Sequence, residues 1–345
     1  MRRRLVFALT PAMVLLALGE GIANIAGSEC KPITPDSGGW PGMQGDPELL
    51  WALAPGTTIQ RRAHHETINP LGLRESTLPD DGDGPRVLVL GDSSVYGWDL
   101  PDGAHYADLL EEELQVQVIN LGVPGYSTEQ SLRLLERVGW DYQPDVVVVH
   151  NIFSDSTVDH FQDRGAMLIA RGQTRWWHSS ALACWGYMAK ARWVAGNGRR
   201  NEVLMPGQGL GPNAAHTVES LGRVLPLSRV PLDQYLENLD RLHEQAQAHG
   251  ATLILAPLAH PTDMTPSTRP GDPEVFVWTP YREAQVRWAE RNGVVVVDLP
   301  KAFEGGSQHL FLDFVHPSPS GGVRMVEAMA PVLRAALEDS TTGTP

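Results

Sequence analysis

Five short aliphatic runs constrain this chain more than anything else in it: residues 86–91 (Arg-Val-Leu-Val-Leu-Gly), 116–120, 146–150, 252–256 and 294–298. They are rich in Val, Ile and Leu and show no regular alternation with polar residues, which is the pattern of strands covered on both faces. Helix-period segments separate them. Leu232, Tyr235, Leu236, Leu239 and Leu242 fall on one helical face, and Gly250 stands where a helix ends. Strands alternating with helices predict an α/β fold with a parallel sheet and helices on both faces.

A chain of 345 residues has room for two domains or for one large domain with insertions. With 42% apolar and 20% charged residues it falls in the globular range rather than the disordered one. The formal charge of −14 comes from 41 acidic against 27 basic residues, so the body repels phosphate backbones and no nucleic-acid partner is expected. Arg outnumbers Lys, with only Lys31, Lys190 and Lys301 present. Two cysteines, Cys30 and Cys184, make neither a disulfide framework nor a four-cysteine metal site. Cys184, next to Trp185, reads as a small buried apolar residue.

Arg2, Arg3 and Arg4 precede an apolar run from Leu5 to Leu18, the layout of the charged and hydrophobic parts of a secretory signal. Residues 1–28 are therefore expected to export the body, either as a cleaved signal or as an uncleaved anchor extended through residues 19–27. Ala26-Gly27-Ser28 offers a cleavage site, whereas Cys30 follows Glu29 and is a poor lipoprotein acceptor. Residues 29–85, rich in Pro, Gly and Asp, read as an irregular lead-in with two short strands. The α/β domain is expected over residues 86–338. A Trp-rich insertion containing Trp176, Trp177, Trp185 and Trp193 interrupts it at about 156–230, and a flexible tail follows at 339–345.

Gly91-Asp92-Ser93-Ser94 follows the first buried run directly, which places Ser93 at the carboxyl end of the sheet, where open α/β sheets hold their ligands. Taken alone the tripeptide describes a turn with a helix cap. Leu312-Asp313-Phe314-Val315-His316-Pro317, just before the C-terminal helix, changes that reading. A serine hydroxyl needs a base, and an imidazole works best when a carboxylate holds its tautomer. Asp313 and His316 supply both.

With these residues the chain resembles the SGNH hydrolases, the GDSL-type esterases and lipases. Gly91-Asp92-Ser93 with Gly97 looks like the nucleophile block. Asn120-Leu121-Gly122-Val123-Pro124-Gly125 resembles the second block, and Asp313-Phe314-Val315-His316 the last. Ile68-Asn69-Pro70-Leu71-Gly72-Leu73-Arg74 and Arg229-Val230-Pro231-Leu232-Asp233-Gln234-Tyr235 are similar to flanking text in exported members. The resemblance runs from about Asp46 to about Leu337. It implies a flavodoxin-like three-layer α/β/α fold with a mostly parallel five-stranded sheet, and a Ser93, His316, Asp313 triad acting through an acyl-enzyme without a cofactor. It also implies an oxyanion hole made by the N–H groups of Ser93 and Gly125.

The third block departs from the family's Gly-x-Asn-Asp. Counting from Pro144-Asp145, its Asn position falls on Ser154 in His150-Asn151-Ile152-Phe153-Ser154-Asp155. Ser154, through its hydroxyl, and Asn151, in a reshaped loop, are both open as the third oxyanion donor. Asp92 and Trp98 are candidate pocket residues. His309, Asp313 and His316 match no compact zinc spacing, so no metal is expected. His64, His65 and His260 read as surface or loop histidines. The expected substrate is a small-molecule, lipid or glycan ester. An O-acyltransferase acting on a cell-surface glycan, and a non-catalytic binding protein on the same scaffold, are the alternatives.

Overall fold

A computed structural model describes residues 2–25, 40–74, 82, 84–157, 162–173, 180–182, 228–264 and 278–342. Strands β1 (Met43–Asp46), β2 (Leu50–Leu53), β3 (Thr58–Gln60) and β4 (His65–Thr67) precede the main sheet. That sheet comprises β5 (Arg86–Gly91), β6 (Gln117–Gly122), β7 (Val146–His150), β8 (Thr252–Leu255) and β9 (Val295–Val296). Its five strands run in the order β6-β5-β7-β8-β9, all parallel. Counted within the sheet this is order 2-1-3-4-5, the flavodoxin-like arrangement, with its switch point at β5.

The absence of alternation in the aliphatic runs has its explanation here. Val87 to Leu90 and Val146 to Val149 are all fully shielded from solvent, because the sheet is covered twice. Leu88, Leu90, Val147 and Val149 pack with Leu132 and Leu135 of α4 (Thr128–Arg137), Tyr235 and Leu239 of α7 (Leu232–Ala248) and Trp288 of α8 (Thr279–Asn292). Val87, Val89, Val146 and Val148 pack on the other side. Their partners are Tyr106 and Leu110 of α3 (Tyr106–Leu114), and Met325, Met329 and Leu333 of α10 (Pro319–Thr342). Each such side chain removed from water contributes roughly 1.5–3 kcal/mol before entropy is charged against it.

The predicted α7 face is present: Tyr235, Leu239 and Leu242 are buried, with Leu232 and Leu236 packed at their edge. Gly250 has φ of 72°, the left-handed conformation that follows many helix ends. The last run is shorter than expected, pairing over only Val295 and Val296. The lead-in is more ordered than expected. It forms two antiparallel hairpins, β1–β2 and β3–β4, whose Leu49, Ile59, Ile68 and Leu73 enter the same core as Leu88 and Leu90. The C-terminal helix runs to Thr342, so the expected tail is helical over most of its length.

The N-terminal segment forms α1 (Arg2–Ile25), with Met13, Leu15, Leu16 and Leu18 exposed. Among the described residues no helix is long and apolar enough to cross a membrane. The expected insertion, apart from residues 156–157, 162–173, 180–182 and 228–230, and Trp176, Trp177, Trp185, Trp193, Cys30 and Cys184 lie outside the described residues.

Candidate active site

The strand β5 ends at Gly91, where a side chain has no room: an added Cβ would stand 2.5 Å from the His150 carbonyl oxygen and 2.2 Å from Val95. Asp92 then caps the short helix α2 (Ser93–Tyr96), its Oδ1 accepting the Ser94 N–H at 3.0 Å. Ser93 opens that helix, half-buried at the carboxyl end of the sheet. No acceptor for its backbone N–H is present among the described residues.

The turn before α10 delivers the other two residues. Asp313 Oδ1 accepts the backbone N–H groups of Val315 (2.9 Å) and His316 (2.8 Å), which curls the loop so that the His316 ring reaches back over the same carboxylate. His316 Nδ1 lies 2.7 Å from Asp313 Oδ2, and Nε2 lies 2.8 Å from Ser93 Oγ. Partial burial on its own pushes the Asp313 carboxyl up, but the His316 ring and the two backbone N–H groups outweigh it and hold the pKa at about 2. Such a carboxylate favours the tautomer with its proton on Nδ1 and leaves Nε2 to accept from Ser93.

The second block forms a tight turn. The Tyr126 N–H donates to the Val123 carbonyl at 3.0 Å, with Pro124 and Gly125 between them and Gly125 at φ 79°. Proline followed by a left-handed glycine is the signature of a type II turn. The Gly125 N–H, like that of Ser93, has no acceptor among the described residues.

The third block differs in detail from what its spacing suggests. Ser154 Oγ donates to Asp92 Oδ2 at 3.3 Å, and Asn151 Nδ2 donates to the Tyr126 carbonyl at 3.1 Å. Both candidate donors thus have partners within the scaffold. Asp155 Oδ1 accepts the N–H (2.9 Å) and hydroxyl (2.5 Å) of Thr128, which joins this loop to the start of α4. Burial pushes the Asp155 carboxyl up to about 8.

Asp92, expected to line the pocket, is buried instead. It serves the scaffold by bonding to Ser94 and Ser154, and burial raises its pKa despite those bonds. Trp98 does lie beside the triad: its ring is 6.1 Å from that of His316, with Trp40 at 5.0 Å and the Arg61 guanidinium 4.4 Å from its centroid. Trp40 and Arg61 come from the lead-in and carry no recognisable motif, so sequence reasoning passed over them.

The histidines read as surface or loop residues lie at such positions. His65 is exposed and His64 partly so, but His260 is buried, its ring 4.7 Å from that of Trp278. His260 belongs to the loop after β8, whose residues 256–260 are buried. His309 pairs with Ser307, while both ring nitrogens of His316 are engaged by Asp313 and Ser93. Among the described residues His64, Glu66 and Asp99 form a cluster. Its Glu66 already binds Arg61 at 2.5 Å and the Tyr96 hydroxyl at 2.8 Å.

No known sequence family and no curated protein matches the chain. Several solved structures are similar to it. One is a lipase/acylhydrolase from Enterococcus faecalis, at 16% identity over 73% of this chain and 96% of that one, with a TM-score of 0.45. A lipolytic protein of the G-D-S-L family from Veillonella parvula is 14% identical over 72% of this chain and 98% of its own (TM-score 0.42). A GDSL-like lipase from Bacteroides thetaiotaomicron is 15% identical over 73% and 88% (TM-score 0.41). The chain has the three-layer α/β fold and parallel sheet order implied by its resemblance to the SGNH hydrolases, and its three resembling blocks meet at one end of that sheet.

Proposed function

We propose that this protein is a serine hydrolase that cleaves an oxygen ester. The observation that carries the reading is the continuous line of hydrogen bonds from Ser93 Oγ through His316 to Asp313, at 2.8 and 2.7 Å. Ser93 attacks the ester carbonyl while His316 Nε2 takes its proton. The Ser93 and Gly125 N–H groups, both without acceptors among the described residues, receive the oxyanion. Collapse of the tetrahedral intermediate breaks the ester C–O bond, and His316 returns the proton to the leaving alcohol. Water, activated by the same imidazole, then releases the acid from Ser93. Asp313 stays ionised throughout and holds the ring.

Because His316 protonates the leaving alcohol, the alcohol portion of the substrate sits on the His316 side, against Trp98 and the half-exposed Trp40. Aromatic faces of this kind take a sugar ring or a lipid chain. They favour, as a second reading, transfer of the acyl group to a glycan hydroxyl held on the same wall. The proposed site of action is outside the cytoplasm, with the arginine-flanked α1 as export signal or anchor.

A panel of chromogenic esters of rising acyl length, assayed with the full chain and with Ser93→Ala, tests the hydrolase. Turnover in the parent that is lost in the variant, together with fluorophosphonate labelling at Ser93, supports it. A parent chain inert towards both esters and probe would overturn it. Fusion of residues 1–40 to a reporter active only outside the cytoplasm tests export, and activity confined to a cytoplasmic reporter would reject it.

A further inference from the structure

The Pro124–Gly125 peptide carries the N–H that the esterase reading assigns to the oxyanion, yet nothing within its own turn holds it. In a four-residue turn the hydrogen bond joins the outer residues, here Tyr126 N–H to Val123 carbonyl at 3.0 Å. The central peptide is left without a partner and can flip between the type I and type II forms. Glycine at the third position tolerates both. A flip exchanges the Gly125 N–H for the Pro124 carbonyl, which would present an electronegative oxygen where an oxyanion must bind.

The partner comes from the lead-in, about seventy residues earlier in the chain. Trp51 on β2 donates its indole Nε1–H to the Pro124 carbonyl at 3.0 Å. No peptide bond in the described chain is cis, and across a trans peptide the carbonyl and the N–H point in opposite directions. Fixing the Pro124 oxygen on Trp51 therefore directs the Gly125 N–H the opposite way, and that N–H has no acceptor among the described residues.

Two further contacts make the arrangement rigid. Trp51 is itself held by the Tyr126 hydroxyl, which donates to the Trp51 carbonyl at 2.6 Å. Arg229 donates to the Gly125 carbonyl at 2.5 Å with its guanidinium 5.2 Å from the Trp51 ring centroid. Arg229 is in turn locked by Asp163 at 2.8 and 2.9 Å and by Gln130 at 2.7 Å. A Cβ on Gly125 would come within 3.3 Å of the Trp51 ring, a tight contact, and the φ of 79° already favours glycine there.

We infer that Trp51 is a positioning residue for the oxyanion hole: its indole N–H locks the Pro124–Gly125 peptide in the orientation that offers the Gly125 N–H to substrate. The lead-in is then a working part of the site rather than an appendage to the domain. The inference rests on the esterase reading above, and its test is arranged so that the two fail separately.

Trp51→Phe keeps an aromatic ring and removes the donor. Trp51→His superposes a ring N–H on the place of the indole N–H and is the rescue variant. Trp140→Phe is the control, since the Trp140 indole also donates a buried-edge hydrogen bond, at 3.0 Å to Gln245, but on another part of the molecule. With the best chromogenic ester of the panel, Trp51→Phe is expected to lower kcat by roughly tenfold with KM within about twofold, since a misplaced oxyanion donor weakens transition-state binding more than ground-state binding. Trp51→His should recover most of the loss, and Trp140→Phe should behave as the parent. Independently of activity, the Gly125 amide resonance, read by carbonyl-13C proline and 15N-glycine labelling, should shift in Trp51→Phe and return in Trp51→His. Unchanged kcat together with an unmoved Gly125 resonance in Trp51→Phe would overturn the inference. So would a loss that His fails to rescue and that tracks a fall in Tm. If the parent has no esterase activity the reading of function falls, and the Gly125 resonance alone decides whether Trp51 sets the turn.

Discussion

Ser154 Oγ lies 3.3 Å from Asp92 Oδ2, so the loop after β7 is tied to the carboxylate that caps the nucleophile helix. Asp92 thereby joins the nucleophile block to the departing third block without touching the reacting atoms. The hydroxyl of Ser154 has a competing acceptor in the resting site, and its donation to an oxyanion requires release of that long bond.

Ser154→Ala is expected to lower kcat by severalfold with little effect on KM, a smaller loss than for a fully committed oxyanion donor. Ser154→Asn brings an amide to the same position, and steady-state kinetics should show kcat preserved or raised. Asn151→Ala, which removes the bond to the Tyr126 carbonyl, should cost about 1–2 kcal/mol in chemical denaturation. A kcat loss at Asn151 that exceeds the one at Ser154 would assign the donor to Asn151 instead.

Ser93→Ala and His316→Ala should each remove ester turnover by several orders of magnitude, and the double variant should be no worse than either alone, because triad members act as a unit. Asp313→Asn leaves the loop hydrogen bonds to Val315 and His316 in place through its carbonyl oxygen but takes away the charge that pairs with the ring. Its kcat should fall by roughly 10²–10⁴ with Tm near that of the parent.

Arg74, in the lead-in, is fully buried. Its guanidinium bonds to Asp102 and to the Leu100 carbonyl and lies over the Tyr96 ring. Arg74→Met retains much of the volume but leaves Asp102 without its cation. It should destabilise the fold by about 3 kcal/mol, measured by urea denaturation, and should loosen the 97–102 segment that carries Trp98. Thr67, which also donates to Asp102 at 2.5 Å, cannot replace the lost charge.

His150 ends β7 buried, with Nδ1 3.1 Å from the Tyr106 hydroxyl and Nε2 without a partner among the described residues. Burial holds its pKa at about 4, below the ordinary 6.5. Below about pH 6.5 the unfolded chain takes up a proton that the folded one refuses, so this contribution is complete above that pH and is lost as pH falls towards 4. The total is about 3 kcal/mol. Other buried groups titrate in the same range, Asp155 with the opposite sign, so the readout is a difference: urea midpoints of the parent and His150→Gln should diverge between pH 4 and 6.5, the parent gaining more stability than the variant as pH rises through that window.

The strands and the triad were legible in the sequence for a local reason. A strand buried on both faces must be apolar at every position, so Val146 to Val149 announce themselves without reference to the rest of the chain. Asp313 and His316 are three residues apart and close one turn, and Ser93 directly follows a strand end. Covalent proximity thus fixes most of that geometry. The parallel order of the sheet also follows once strands and helices alternate, since crossovers leave few alternatives.

Tertiary structure decided everything that depends on segments far apart in the chain. Asp92 looks like a pocket residue beside Ser93, but only the packing of the β7 loop over it shows that it faces Ser154 and is buried. The lead-in reads as irregular because its strands are three or four residues long and gain their hydrophobic partners from the main sheet. Nothing near Trp51 in the sequence points to Gly125. Their meeting depends on a hairpin docking across the end of the sheet, and the hydrogen bond between them forms between residues whose separation in sequence is 73.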